Sequence, residues 1–194
     1  MWRSSHTLAT VTIEHTEREV SRLRAEFAKE PRESALHLAQ RLSCYSMQLA
    51  LDNQNDASQA TWVEALEVAG HVLTGPGPSQ LERTELIRIG VGTARCMIQA
   101  GRPEQGLEVA AKAEIQYQAL ADAATDAVTV LALRGAILTV IADAHTAMGN
   151  ADAAMDALSE ALLELLAGSG TNPLIVKHMV REPLTSLAVI IAQN

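Results

Sequence analysis

Three similar turns recur at one interval. Asn53, Gly101 and Gly149 each follow a run of helix-forming residues, and consecutive members stand 48 residues apart. In the same register Asp56, Glu104 and Asp152 open the next run, where exposed backbone N–H groups and the helix dipole favour a carboxylate. Further on, Ser58, Gly106 and Ala154 coincide, as do Ala65, Ala113 and Ala161. Small residues of this kind let helix backbones approach closely. Larger groups stand between and beyond them at Trp62 and Leu158 and at Tyr117 and Leu165, with Ala110 and Ala69 in the same register, as interlocking helix faces require. A packing pattern written three times is the signature of a helical repeat.

The breakers agree with this reading. Pro31, the run Asp52–Asp56, Gly75-Pro76-Gly77-Pro78, Gly101-Arg102-Pro103, Gly149-Asn150 and Gly168-Ser169-Gly170 divide the chain into helical blocks. Between them Leu36, Leu38, Leu42, Leu49 and Leu51, then Leu86, Ile87, Ile89, Met97 and Ile98, follow helical spacing. Aromatic residues are only 3% of the chain and β-branched residues form no alternating runs, so the intrinsic bias is helical. The expected organisation is an N-terminal helix within 8–30, units over 34–78, 79–124 and 125–170, and a capping segment over 172–194. Asn172-Pro173 would start that last segment and Pro183 would kink it. At 194 residues and 48% hydrophobic content the chain suits a single domain with a sizeable core.

Met148 to Leu162 resembles the turn and second helix of a tetratricopeptide repeat, and Ala100 to Leu107 resembles another. The small residues match that family. Its large first-helix positions hold Leu138, Ala142 and His145 in the third unit, and the period exceeds the usual 34 residues of the class. The extra length is about four helical turns shared by two helices. Such elongated units resemble the helical-repeat regions of larger bacterial regulators. The resemblance implies an all-α fold: a right-handed stack of about three antiparallel helix hairpins, an α-solenoid with capping helices at both ends.

It also implies a binding surface, because the first helix of each hairpin lines the concave side in that family. This directs Gln40, Ser43 and Met47, then Arg88, Val91 and Arg95, then Thr139, Asp143 and Thr146 toward a shared groove. Arg88 and Arg95 lie two turns apart on one helix face, suited to carboxylates of an extended acidic peptide. Alternatively, they pair with acids of the chain itself, such as Glu85 or Asp143. The family's carboxylate clamp of Lys and Asn is not reproduced.

No set of residues forms an active site. His6, His15, His37, His71, His145 and His178 are scattered without metal-ligand spacing. No phosphate loop or nucleophile elbow occurs, and the pair Gly90 and Gly92 reads as close helix contact. Cys44 and Cys96 are too far apart in pattern for a zinc site or disulfide framework, and are expected to be buried thiols. A net charge of −8 argues against phosphate-backbone binding, and Arg18, Arg22 and Arg24 are interleaved with Glu14, Glu17, Glu19 and Glu26 as a solvated face with i,i+4 pairs. No stretch of roughly 18 uncharged apolar residues is present and the N-terminus lacks a signal-like core.

The expected protein is therefore a cytoplasmic, non-catalytic binder of protein or peptide, a scaffold or sensing component, without cofactor, metal, nucleic acid or membrane. The alternative is a homo-oligomer, for instance a homodimer, joined by the apolar C-terminal residues Leu184, Leu187, Ile190 and Ile191. A helical enzyme with an unrecognised site is the third reading.

Overall fold

The computed structural model describes residues 4–74, 77–122, 127–167, 181, 183–185, 188 and 190. All regular structure among them is helical: α1 (Ser4–Phe27), α2 (Pro31–Leu51), α3 (Asn55–Gly70), a 3₁₀ turn (His71–Leu73), α4 (Gln80–Gln99), α5 (Pro103–Ala121), α6 (Ala127–Ala147) and α7 (Ala151–Ala167). The expected start of the third unit near 125, the cap at Asn172-Pro173 and the turn at Gly168–Gly170 lie outside the described residues. So do Gly75 and Pro76. The chain divides into two compact units, Met1–Glu85 and Leu86–Asn194, whose boundary falls inside α4.

The 48-residue interval is written into the backbone. Asn53, Gly101 and Gly149 take φ of 61°, 74° and 77°, the left-handed conformation that closes a helix. At each turn the same two bonds form. The N–H groups of Asn53, Gly101 and Gly149 donate to the carbonyls of Ala50, Ile98 and Thr146, and those of Gln54, Arg102 and Asn150 donate to Leu49, Met97 and His145. The first bond of each following helix, from Ser58, Gly106 and Ala154, reaches back to those last three donors' own carbonyls. Asp56, Glu104 and Asp152 occupy the first turns, although the caps of α3 and α5 carry no side-chain hydrogen bond. The acids thus act through the field of the helix terminus.

A Cβ placed on Gly101 or Gly149 would meet nothing within 4 Å, so only backbone conformation restricts the residue there. Gly101→Ala is expected to lower stability by about 1 kcal/mol, and Asn53→Gly to leave it equal or raise it by a few tenths. Thermal unfolding of the two variants checks the pair of signs.

In the first unit α2 packs on α1 and on α3. Val20, Leu23, Ala35, Leu38, Ala39, Leu42 and Ala65 are fully buried. The α2–α3 crossing is polar: Ser46 donates to the Ser58 carbonyl at 2.6 Å and Ser58 donates to the Ser46 carbonyl at 2.9 Å. Each hydroxyl satisfies the opposing helix, which is what burial of a polar group demands. Arg24 forks onto Glu64 at 2.7 and 2.5 Å, tying α1 to α3, while Arg41 reaches Glu19 at 3.4 Å. Among the described residues Arg22–Glu26 realises the i,i+4 pairing expected of the N-terminal arginines, whereas Arg18 donates to the Glu14 carbonyl. Their face is partly an interhelical one.

The second unit repeats the crossing with smaller groups. Ala94 faces Gly106, and Ala142 shares a cluster with Ala154. A methyl on Gly106 would lie 2.9 Å from the Ala94 carbonyl oxygen and 2.7 Å from Ile98, so α4 and α5 meet backbone to backbone. Gly90 lies against Ala113 and Gly135 against Leu165, giving Gly90 the packing role expected of it. Helix α6 packs on both α5 and α7. That two-sided packing explains an apolar composition around its circumference. Thr129–Ala147 is long and apolar enough to cross a membrane by length and composition, with Arg134 and Asp143 within it.

The cysteine expectation is corrected. Cys44 is exposed and Cys96 half-buried. Cys44 falls between Leu42 and Ser46, which both turn inward, and a helix places it on the opposite face.

Candidate functional site

The residues assigned to the first-helix face fall into two groups. In the first unit Gln40 and Met47 are exposed and Ser43 is half-buried, its hydroxyl donating to the Ala39 carbonyl at 2.9 Å. In the second unit Arg88 is exposed, and Arg95, Asp143 and Thr146 are half-buried. Arg88, Arg95 and Asp143 each take part in polar or electrostatic contacts within the protein.

Val91 and Thr139 do not belong to an accessible face. They are 9% and 1% exposed, and Thr139 donates its hydroxyl to the Gly135 carbonyl at 2.7 Å. The two positions are 48 residues apart, and each has core residues one turn to either side: Ile87 and Ala94 for Val91, Gly135 and Ala142 for Thr139. The family register placed them on the groove side, whereas the buried part of the helix is wider than that register allows: Leu138 and Val140, on either side of Thr139, are 4% and 0% exposed.

The proposed oligomer contacts divide as well. Ile190 is 3% exposed and packs in a cluster with Ala142, Ala154, Ala157 and Leu158, flanked by Ile141 and Ala151. It therefore covers the third hairpin of its own chain. Leu184 is 50% exposed, and Leu187 and Ile191 lie outside the described residues.

Two charged arrangements escaped the sequence reading. Arg134 of α6 reaches Glu114 on α5 and Glu160 on α7, the latter at 2.5 Å, with its guanidinium 5.4 Å from the centre of the Tyr117 ring. Its side chain is only 16% exposed. Burial by itself would lower the Arg134 pKa, but the bond to Glu160 and the charges of Glu114 and Glu160 outweigh it and the pKa rises. Burial also raises that of Tyr117, aided by the charge of Glu164. No spacing along the chain foretells this cluster, whose members come from three helices.

The second was legible. Ser79-Gln80-Leu81-Glu82 is a capping box at the start of α4. The Ser79 N–H donates to Glu82 at 2.8 Å, the Glu82 N–H donates to the Ser79 hydroxyl at 3.3 Å, and Arg32 donates to Glu82 at 2.9 Å. The Ser79 backbone bond, then Arg32, then the Ser79 side chain, hold the Glu82 carboxyl down at about 2. A depressed carboxyl stabilises the fold above its ordinary value near 4.5, and that contribution disappears as pH falls toward 2. After allowance for solvent screening it is worth about 1 kcal/mol. Urea titrations should show the wild type losing about 1 kcal/mol more than Glu82→Gln between pH 6 and pH 2, the other carboxylates contributing equally to both.

Among the described residues no group of three His, Cys, Asp or Glu side chains converges as a metal site. The His145 Nδ1 is buried and has no hydrogen-bond partner among the described residues. The geometry offers charged and polar contact surface on helices. No protein-family model, curated protein or solved structure matches the chain.

Proposed function

We propose that the protein is a non-catalytic module of the tetratricopeptide-like kind, binding protein or peptide through the first helices of its hairpins. One observation supports this above others: the same turn, the same bonds and the same small-residue crossing recur at 48-residue spacing, as in modules that extend a surface by repetition. On this reading α2, α4 and α6 are the ligand-facing helices of a right-handed hairpin stack, and the buried Val91 and Thr139 support that face without touching ligand.

In the second unit the accessible set is Arg88, Arg95, Asp143 and Thr146. Two arginines on one face of α4 favour an acidic segment, because guanidinium groups bind carboxylates through paired, charge-assisted hydrogen bonds. The test is retention of the protein on an array of acidic and neutral peptides, beside an Arg88→Glu/Arg95→Glu variant of equal helical content. The variant should bind acidic peptides at least about tenfold more weakly, roughly the value of one lost charged contact. Equal retention of both proteins would remove α4 from the binding face.

A further inference from the structure

Helix α7 carries an outward face that its place in the repeat does not account for. Met155, Leu163 and Leu166 are 37%, 68% and 57% exposed, and helical spacing gathers them within an arc of about 80°. Two repeat intervals earlier α3 has Gln59, Glu67 and Gly70 at these positions. One interval earlier α5 keeps Leu107 and Ile115 but has Gln118 where α7 has Leu166. The hairpin fold therefore does not require three apolar groups here. Beside them Asp152, Asp156, Glu160 and Glu164 follow one another at four-residue intervals, and α7 contains no Lys or Arg. Like charges at that spacing repel and weaken a helix. Arg134 relieves Glu160, whereas Asp152 and Asp156 are exposed and no ion pair engages them among the described residues. In α5 the corresponding row is broken by Lys112, at the register position of Glu160.

We propose that this face docks a basic amphipathic helix of another protein, whose apolar side covers Met155, Leu163 and Leu166 and whose Lys or Arg residues reach Asp152 and Asp156. Charge complementarity selects the occupant. A cationic partner turns the repulsion within the acid row into attraction, and burial of the leucines supplies affinity that charge alone would not. A second copy meeting α7 with its own α7 would set the same acids against one another. A phosphate-bearing surface, whether membrane or nucleic acid, is repelled for the same reason. An apolar row at helical spacing beside charges of one sign is the pattern that an amphipathic helix of opposite sign matches. The face lies on the second helix of its hairpin and calls for a partner of opposite charge to the acidic segment assigned to α4, so the inference stands apart from that reading.

The probe is a synthetic helical peptide of about four turns, with leucines at i, i+3, i+4 and i+7 spacing and lysines flanking them, titrated with the full-length protein by fluorescence anisotropy. One control peptide has glutamate in place of the lysines, and another has serine in place of the leucines. Saturable binding of the first peptide alone is the expected result. Leu163→Ser/Leu166→Ser should weaken it at least about tenfold, and Asp152→Asn/Asp156→Asn about threefold to tenfold. All four positions except Asp152 lie beyond the first turn of α7 and all are exposed, so the fold is kept, as matching circular dichroism will establish. Arg88→Glu/Arg95→Glu should leave this binding no weaker, which separates it from the site on α4. Absence of binding, equal binding of the serine peptide, or equal binding by Leu163→Ser/Leu166→Ser overturns the proposal. So does self-association of the wild type that disappears in Leu163→Ser/Leu166→Ser, which would put a second copy on the face.

Discussion

Arg134→Met should destabilise the second unit by about 2–3 kcal/mol, measured by urea denaturation. The guanidinium is only 16% exposed and holds Glu114, whose side chain is 24% exposed. One oxygen of that carboxylate, Oε2, is already buried without a hydrogen-bond partner. Removing the cation leaves the half-buried carboxylate with a single neutral donor, the Gln118 amide at 2.7 Å, and no opposite charge, which costs more than the pair itself contributed. Glu160 is 50% exposed and adds little, since water takes over its solvation. The repeat register supplies a sharper companion. Position 134 corresponds to Leu86 and Leu38, and position 114 to Leu162. The double variant Arg134→Leu/Glu114→Leu should therefore lie within about 1 kcal/mol of the wild type, because it restores the apolar solution used elsewhere in the chain. A double variant as unstable as Arg134→Met would refute the account.

Gly106→Leu should cost more than about 3 kcal/mol and Gly106→Ala about 1–2 kcal/mol, even though alanine gains about 1 kcal/mol of helix propensity over glycine. The reason is the Ala94 carbonyl oxygen, 2.9 Å from where the new Cβ would stand. Ile98 can rotate aside, whereas a helix backbone cannot. The equivalent Ser58→Ala is expected to lose only about 1 kcal/mol, one hydrogen bond, since a Cβ is already accommodated there. Thermal unfolding of the three variants gives the ranking, and a Gly106→Ala more stable than the wild type would show that α4 and α5 can separate freely.

The helical class and the hairpin turns were readable because they depend on local chemistry. Residues at Asn53, Gly101 and Gly149 must adopt a left-handed conformation, and few residue types do so cheaply. The small residues at 58, 106 and 154 were readable for a related reason: close approach excludes side chains whatever the surroundings. Exposure was harder. Val91 and Thr139 fit the helical period of a surface row as well as that of a seam, and only the neighbouring helices decide between them. Cys44 failed in the opposite sense, a residue type usually found inside that here faces out. The Arg134 cluster was hidden because Glu114, Arg134 and Glu160 meet only once three helices are in place. Ile190 was recognised as apolar, but its seat on the third hairpin is a tertiary fact. The Ser79–Glu82 box, by contrast, could have been read from four consecutive residues.

The boundary between the two compact units falls within α4, between Glu85 and Leu86. It follows that the carboxyl-terminal half cannot be excised at that boundary without damage. A fragment beginning at Leu86 would start in mid-helix, with raw N–H groups and neither Ser79 nor Glu82 to receive them. Beginning at Ser79 retains a finished helix end and costs seven additional residues. Anyone dissecting the chain should cut where the helix is sealed, since the most compact partition and the most durable fragment do not share an endpoint.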